Sequence, residues 1–142
     1  MKYHFKVHIE GEGFWAECIE LRGCITQGDF LEDLYKNMQD ALDLYIAEPE
    51  DSKDLAPLPD PTIKKSKTVV EVTLDPEIAF SFLVRYHRIK YGMTQHQAAK
   101  KMGFDNLYSY QRLESKKCNP NLKTILKVKE VFPEFSLDFA VI

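Results

Sequence analysis

The hydrophobic period of this chain changes once, and that change limits the folds open to it. Tyr3, Phe5, Val7 and Ile9 alternate with His4, Lys6, His8 and Glu10, the period of two of a strand with one buried face. From Asp75 onward the apolar residues recur at helical spacing, in short runs closed by Gly92, Gly103 and Pro133. Between the two textures lies Glu48 to Lys67, where Pro49, Pro57, Pro59 and Pro61 stand among charges and rule out a helix. These patterns predict an α+β chain of two small domains, 1–74 and 75–142, with a Pro-rich connector at about 48–67 inside the first.

Local signals fill in both halves. After the turn Gly11 to Gly13, FWAECIEL reads as the hairpin partner of the first strand, and a third short strand is expected around Cys24 to Thr26. Asp29 with Glu32 three residues on has a capping-box pattern, and the helix from Phe30 to about Ile46 aligns Phe30, Leu34, Met38, Leu42 and Ile46 on one stripe. TVVEVTL, Thr68 to Leu74, returns to strand, which makes the first domain β-β-β-α-β. In the second, Asp75 caps and Pro76 opens a helix that runs to Tyr91. Thr94 with Gln97 caps the next, Asp105 or Asn106 the third, and Asn121 a fourth that ends before Pro133, giving a bundle of four short helices.

The tail SLDFAVI sets Leu137, Phe139 and Val141 on alternate positions, the pattern of an apolar strand. Such a strand is normally covered or paired. The expectation is therefore a homodimer, or a higher homo-oligomer, joined through the tails and fourth helices of two copies.

Charge divides the chain as sharply as hydrophobic period does. Residues 1–60 hold 5 basic against 14 acidic residues, whereas 85–129 hold 11 basic residues against Asp105 and Glu114 alone. A split of this kind points to two different partners, a basic protein for the acidic half and nucleic acid for the basic one. No run approaches the roughly 20 apolar residues of a membrane span, and the alternating N-terminus is unlike a signal peptide, so a cytoplasmic protein with no membrane partner is expected. Cys18, Cys24 and Cys118 lack any CxxC spacing and read as small buried thiols.

Within the basic stretch, MTQHQAAKKMGFDNLYSYQRLE, Met93 to Glu114, reads as two short helices around a glycine, the layout in which the second helix enters the major groove. Ala98 and Ala99 are small where two helices cross, and Leu107, Tyr110 and Leu113 put the apolar side of the third helix inward. Its other side offers Asn106, Tyr108, Ser109, Gln111 and Arg112, which can hydrogen-bond base edges. Thr94 and Gln95 sit at a helix N-terminus suited to a phosphate, and Lys100, Lys101, Lys116 and Lys117 supply sequence-blind affinity for the backbone.

MTQHQAAKKMG, YSYQRLE and NPNLKTILKVKEVFP together resemble the Xre-like helix-turn-helix family, although the chain carries one residue more than the usual pattern between Gly103 and Glu114. The N-terminal half, with LRGCITQGD (Leu21 to Asp29) as its most specific match and APLPDP further on, resembles the HicB antitoxins. The two resemblances imply a HicB antitoxin with a degenerate ribonuclease H-like N-terminal domain and a helix-turn-helix tail. They also imply a partner, the HicA toxin, a small basic ribonuclease that cleaves messenger RNA, and repression of the antitoxin's own operon through operator DNA.

The residues argue against catalysis. A two-metal nuclease needs converging carboxylates, yet the first strand offers none in its middle, and Glu17 is the one acid inside the second. His4 and His8 lie about 13 Å apart along a strand, too far to share an ion, and read as surface or interface residues. No nucleophile motif, metal-binding motif or cofactor fingerprint is present, so no catalytic residue, metal or cofactor is expected. Glu10, Glu12, Glu17 and Glu20, taken as exposed acids near the hairpin, with Trp15 as an aromatic anchor, form the expected toxin-binding patch. Two other readings stand beside this one. One is a stand-alone helix-turn-helix repressor with an acidic effector domain; the other is a metal-dependent nuclease.

Overall fold

Alternation along the first strand decides the first layer. In the computed structural model, which describes residues 1–47, 54–116 and 118–142, β1 (Lys2–Glu10) buries Tyr3 and Phe5 and pairs on both sides. Its partners are β2 (Gly13–Cys18) and β4 (Val69–Thr73), and β2 in turn pairs with β3 (Ile25–Gly28). The result is a four-stranded, fully antiparallel sheet of order β3-β2-β1-β4. Register follows the pleat: Phe5 opposes Cys18 and Val70, and Val7 opposes Ala16, so one face collects the apolar side chains.

That face is covered by α1 (Leu31–Ala47), whose Leu34, Met38, Leu42 and Ile46 are buried at the four-residue spacing of one helical stripe. The approach is close enough to forbid a side chain at the end of β3. A Cβ on Gly28 would stand 2.7 Å from the Leu34 nitrogen. Residues 54–68 have no regular secondary structure, while 48–53 of the expected connector lie outside the described residues. Residues 54–68 reach β4 without a helix, and Pro57, Pro59 and Pro61 among them lack the N–H donors a helix needs.

The chain divides into two compact units, Met1–Glu48 with Ala56–Leu74 in one and Asp75–Val141 forming the bulk of the other. The second unit is helical: α2 (Pro76–Lys90), α3 (Gln95–Lys101), α4 (Leu107–Gln111), a 3-10 turn (Arg112–Glu114), α5 (Leu122–Val131) and α6 (Leu137–Val141). Its caps are those the local sequence demands. Asp75 accepts from the backbone N–H groups of Glu77 and Ile78, Thr94 and Gln97 form a reciprocal capping box, and Asn121 accepts from Thr124. Gly103, at φ +77°, makes the turn after α3 in a conformation that side chains disfavour. The core collects Ala98, Ala99, Met102, Tyr110, Leu113, Val128, Phe132 and Phe135, with Phe80 edge-on to Phe135.

Several expectations are corrected. Strand β2 stops at Cys18 instead of continuing to Leu21, because Glu20 turns back to bond β1, and β3 starts at Ile25. The third helix of the second half is split into α4 and the 3-10 turn, which leaves Arg112 off the regular helix. The tail is a helix and not a strand. Ser136 Oγ accepts the Phe139 N–H at 3.2 Å, a cap that outweighs the alternating pattern, and Ala140 is buried. Leu137 and Val141 therefore share one side of α6, and Phe139 points away from them.

Candidate nucleic-acid interface

The basic face of the helical unit is organised from behind by one buried ion pair. Arg88 on α2 donates from Nε to Glu114 Oε2 at 2.7 Å and from Nη2 to Oε1 at 3.0 Å, a two-pronged pairing. A third donor, Nη1, reaches the Met93 carbonyl at 3.0 Å. The Glu114 side chain is 2% exposed. Burial opposes the charge on Arg88, but the hydrogen bond and charge of Glu114 outweigh it and raise the guanidinium pKa above its ordinary value. Tyr110 is buried beside the pair, and desolvation first, then Glu114, raises its hydroxyl pKa.

From this pair a chain of hydrogen bonds runs outward. Gln95 Nε2 donates to Glu114 Oε1 at 3.4 Å, and Gln111 Nε2 donates to Gln95 Oε1 at 3.2 Å. Two carboxamides, one opening α3 and one closing α4, are thus held together at the surface, with Gln111 exposed. Arg112 is exposed beside them, next to a cleft of about 250 Å³ whose polar lining includes Ser109, Asn119, Asn121 and Thr124.

The other expected contacts divide by what already occupies them. Lys100, Lys101 and Lys116 are exposed, and Tyr108 is 69% exposed. Thr94 is engaged in its capping box, and Asn106 Oδ1 accepts both the backbone N–H and the hydroxyl of Ser109, at 2.9 and 3.1 Å. Lys117 lies outside the described residues. The ion pair itself escaped sequence reading. Its signal was Glu114, one of only two acids in a stretch with 11 basic residues, placed where its neighbours face inward.

In the sheet unit the expected acidic patch is partly taken up internally. Glu20 is not an exposed acid: its side chain is 4% exposed, with Oε2 2.8 Å from His4 Nδ1 and Oε1 accepting the His4 backbone N–H at 2.8 Å. His4 is accordingly a buried residue and not a surface one, and its Nε2 lies 3.8 Å from Glu71. Glu20 also accepts the Asp60 N–H at 3.1 Å, and Tyr3 donates to the Pro57 carbonyl at 2.9 Å, so the end of the connector is tied to the sheet. Glu17 lies 3.3 Å from His8, whose ring stacks on Trp15 at 4.0 Å. Glu10 and Glu12 remain exposed.

Burial pushes the Cys18 thiol up to about 12 and the Cys24 and Cys118 thiols up to about 11, so all three keep their protons near neutral pH. Among the described residues no group of three or more His, Cys, Asp or Glu side chains is placed to hold a metal ion, and no helix is long and apolar enough to cross a membrane. In α6, Leu137, Phe139 and Val141 are each partly exposed, and on α5 Leu122 and Leu126 stand out in solvent.

No protein-family model matches the chain. It is similar to the UPF0150 protein ssr1765 of Synechocystis sp., with 40% identity over 47 residues. That stretch covers 31% of this chain and 60% of the relative, so the likeness reaches less than two thirds of either protein.

Proposed function

We propose that the chain is a HicB-type antitoxin, whose helical unit binds operator DNA and whose sheet unit neutralises a small basic toxin of the HicA type. The observation that carries the DNA half is the pair of half-buried Gln95 and exposed Gln111, aimed from behind by Arg88 and Glu114. On this reading α3 and α4 form a helix-turn-helix. Gln111 and Arg112 read base edges, Tyr108 and Ser109 border them, and Asn106 serves mainly as a cap. Lys100, Lys101, Lys116 and Lys117, with the N-terminus of α3, meet phosphates.

The toxin half is supported at family level by the likeness to a UPF0150 protein, a HicB-like family in cyanobacteria. The sheet unit is then a degenerate ribonuclease H-like domain that binds and does not cut. Its buried His4 and Glu20 are engaged with each other and with the connector. The protein acts in the cytoplasm as a homodimer joined through the apolar sides of α5 and α6, which sets two reading helices about 34 Å apart on a palindrome.

Two measurements test the halves separately. Footprinting on the promoter upstream of the gene should show a protected palindrome, bound far more tightly than random DNA of equal length. Co-expression with the toxin of the same operon should restore growth. Equal affinity for promoter and random DNA would remove the repressor role, and failure of rescue by a well-expressed chain would remove the antitoxin role.

A further inference from the structure

The exposed side of α4 carries two kinds of side chain. Gln111 and Arg112 are polar and exposed, while Asn106 and Ser109 bond to each other in the cap. Tyr108 differs from all four, because it presents an aromatic ring that is 69% exposed, the most exposed ring among the described residues of the helical unit. Among those residues its side chain has no hydrogen-bond partner and no ring contact. Fold stability does not account for it. Tyrosine is a weaker helix former than alanine, leucine or lysine, and the inward packing of this segment rests on Tyr110 and Leu113, which are buried.

The position of the ring says what would cover it. The Arg112 N–H closes a helical turn onto the Tyr108 carbonyl, so Tyr108, Gln111 and Arg112 stand one turn apart on one side. Gln111 is held there by Gln95 and, through it, by Glu114. The ring thus belongs to the same surface as the polar readers. In the major groove, thymine alone of the four ordinary bases presents a carbon substituent, its C5-methyl group, and an apolar ring matches that group and not the donors and acceptors around it. The phenol oxygen, at the far end of the ring, stays in groove water, so covering the ring strands no polar atom.

We propose that Tyr108 is a specificity-determining residue whose ring reads the C5-methyl group of a thymine in each operator half-site. The inference rests on the DNA-binding reading of α4 and adds a contact of different chemistry. Gln111 and Arg112 exchange hydrogen bonds with base edges, whereas Tyr108 recognises a base by its apolar group.

The test measures binding of the full chain to duplexes that carry the promoter segment protected in footprinting, with each thymine replaced in turn by deoxyuridine. That replacement removes the methyl group and keeps every hydrogen-bonding group. At one thymine per half-site the wild-type chain should lose about fourfold in affinity, the amount that burying one methyl group supplies. Tyr108→Ser should bind the unmodified duplex at least that much more weakly and show no further loss with deoxyuridine. Tyr108→Phe should keep the methyl dependence, and Lys100→Ala should weaken binding to both duplexes alike. Circular dichroism reports that each variant is folded. If no replacement affects the wild-type chain, or if the loss persists in Tyr108→Ser, the ring reads no methyl group and the operator reading survives. If Tyr108→Phe loses the dependence as Tyr108→Ser does, the hydroxyl makes the contact and the proposal is overturned. If the unmodified chain protects no promoter segment, both readings fall together.

Discussion

Each unit contains a buried carboxylate bound to a nitrogen-bearing side chain, and the two pairs do opposite things with the order they create. In the sheet unit His4 and Glu20 turn inward: the carboxylate takes the imidazole, the His4 backbone N–H and the Asp60 N–H, tying a proline-rich connector to the strands. In the helical unit Arg88 and Glu114 turn outward, and the carboxylate passes its position through Gln95 to an exposed Gln111. Buried charge alone therefore says little about role. The partner at the outer end of the network separates a pair that closes a fold from one that aims a surface.

The largest effect should come from breaking the outward pair. Glu114→Ala removes the carboxylate that balances the buried Arg88 guanidinium, leaving it the neutral Met93 carbonyl, and should destabilise the helical unit by about 3–5 kcal/mol, the range for removing one partner of a buried pair. Chemical denaturation reads the loss. The sharper variant is Arg88→Met with Glu114→Leu, which removes both charges and should recover most of the stability. Under the aiming role it should still lose selectivity for operator over random DNA, because nothing then orients Gln95. If the double variant recovers stability and selectivity together, the pair supports the fold and aims nothing.

For the inward pair the expected result is local. Glu20→Gln weakens the hold on His4 and on the Asp60 N–H, and should expose the connector near Asp60 to limited proteolysis while DNA binding by the helical unit stays unchanged. A cleavage pattern identical to wild type would mean that the Tyr3 bond to the Pro57 carbonyl suffices. Gly28→Ala offers an independent comparison in the same unit. Its Cβ would meet the Leu34 nitrogen at 2.7 Å and Cα at 2.9 Å, both backbone atoms, and should cost about 1–3 kcal/mol.

On the exposed face the effects should be smaller and different in kind. Gln111→Ala and Arg112→Ala should reduce discrimination between operator and random DNA, each by about 1–3 kcal/mol at the affected base pair. Lys100→Ala and Lys116→Ala should weaken binding to both DNAs alike and lower the salt slope by about one unit each. Salt titrations on both DNAs separate the classes, and identical behaviour of all four variants would erase the division.

Sequence reading reached the features that rest on neighbours in the chain. The alternation of Tyr3, Phe5 and Val7, the stripe of α1, and the caps at Asp75, Thr94 and Asn121 depend on residues a few positions apart, and each formed as local chemistry requires. The misses have two causes. His4 with Glu20 and Arg88 with Glu114 are separated by 16 and 26 positions, so only the fold brings them together. The tail failed through competition between two local signals, the alternation of Leu137, Phe139 and Val141 against the cap at Ser136, and the cap prevailed. At the interface, sequence supplied the list of polar residues but could not separate Asn106, occupied as a cap, from Gln111, held out toward solvent.

The smallest expected effect separates the two units by pH. His87 on α2 packs among Tyr86, Phe132 and Phe135, and burial lowers its pKa below the ordinary 6.5, with Glu134 opposing and Lys129 assisting. A lowered folded-state value means that the unfolded chain takes up the proton first as pH falls. The contribution of neutral His87 to stability is therefore complete above about pH 6.5 and shrinks as pH drops through that value toward the folded one. Thermal melts from pH 7.5 to 5.5 should show the helical unit losing stability over this window, and His87→Phe should flatten that part of the profile. A slope that persists unchanged in His87→Phe would assign the pH dependence to another group and leave the aromatic cluster around α2 insensitive to protons.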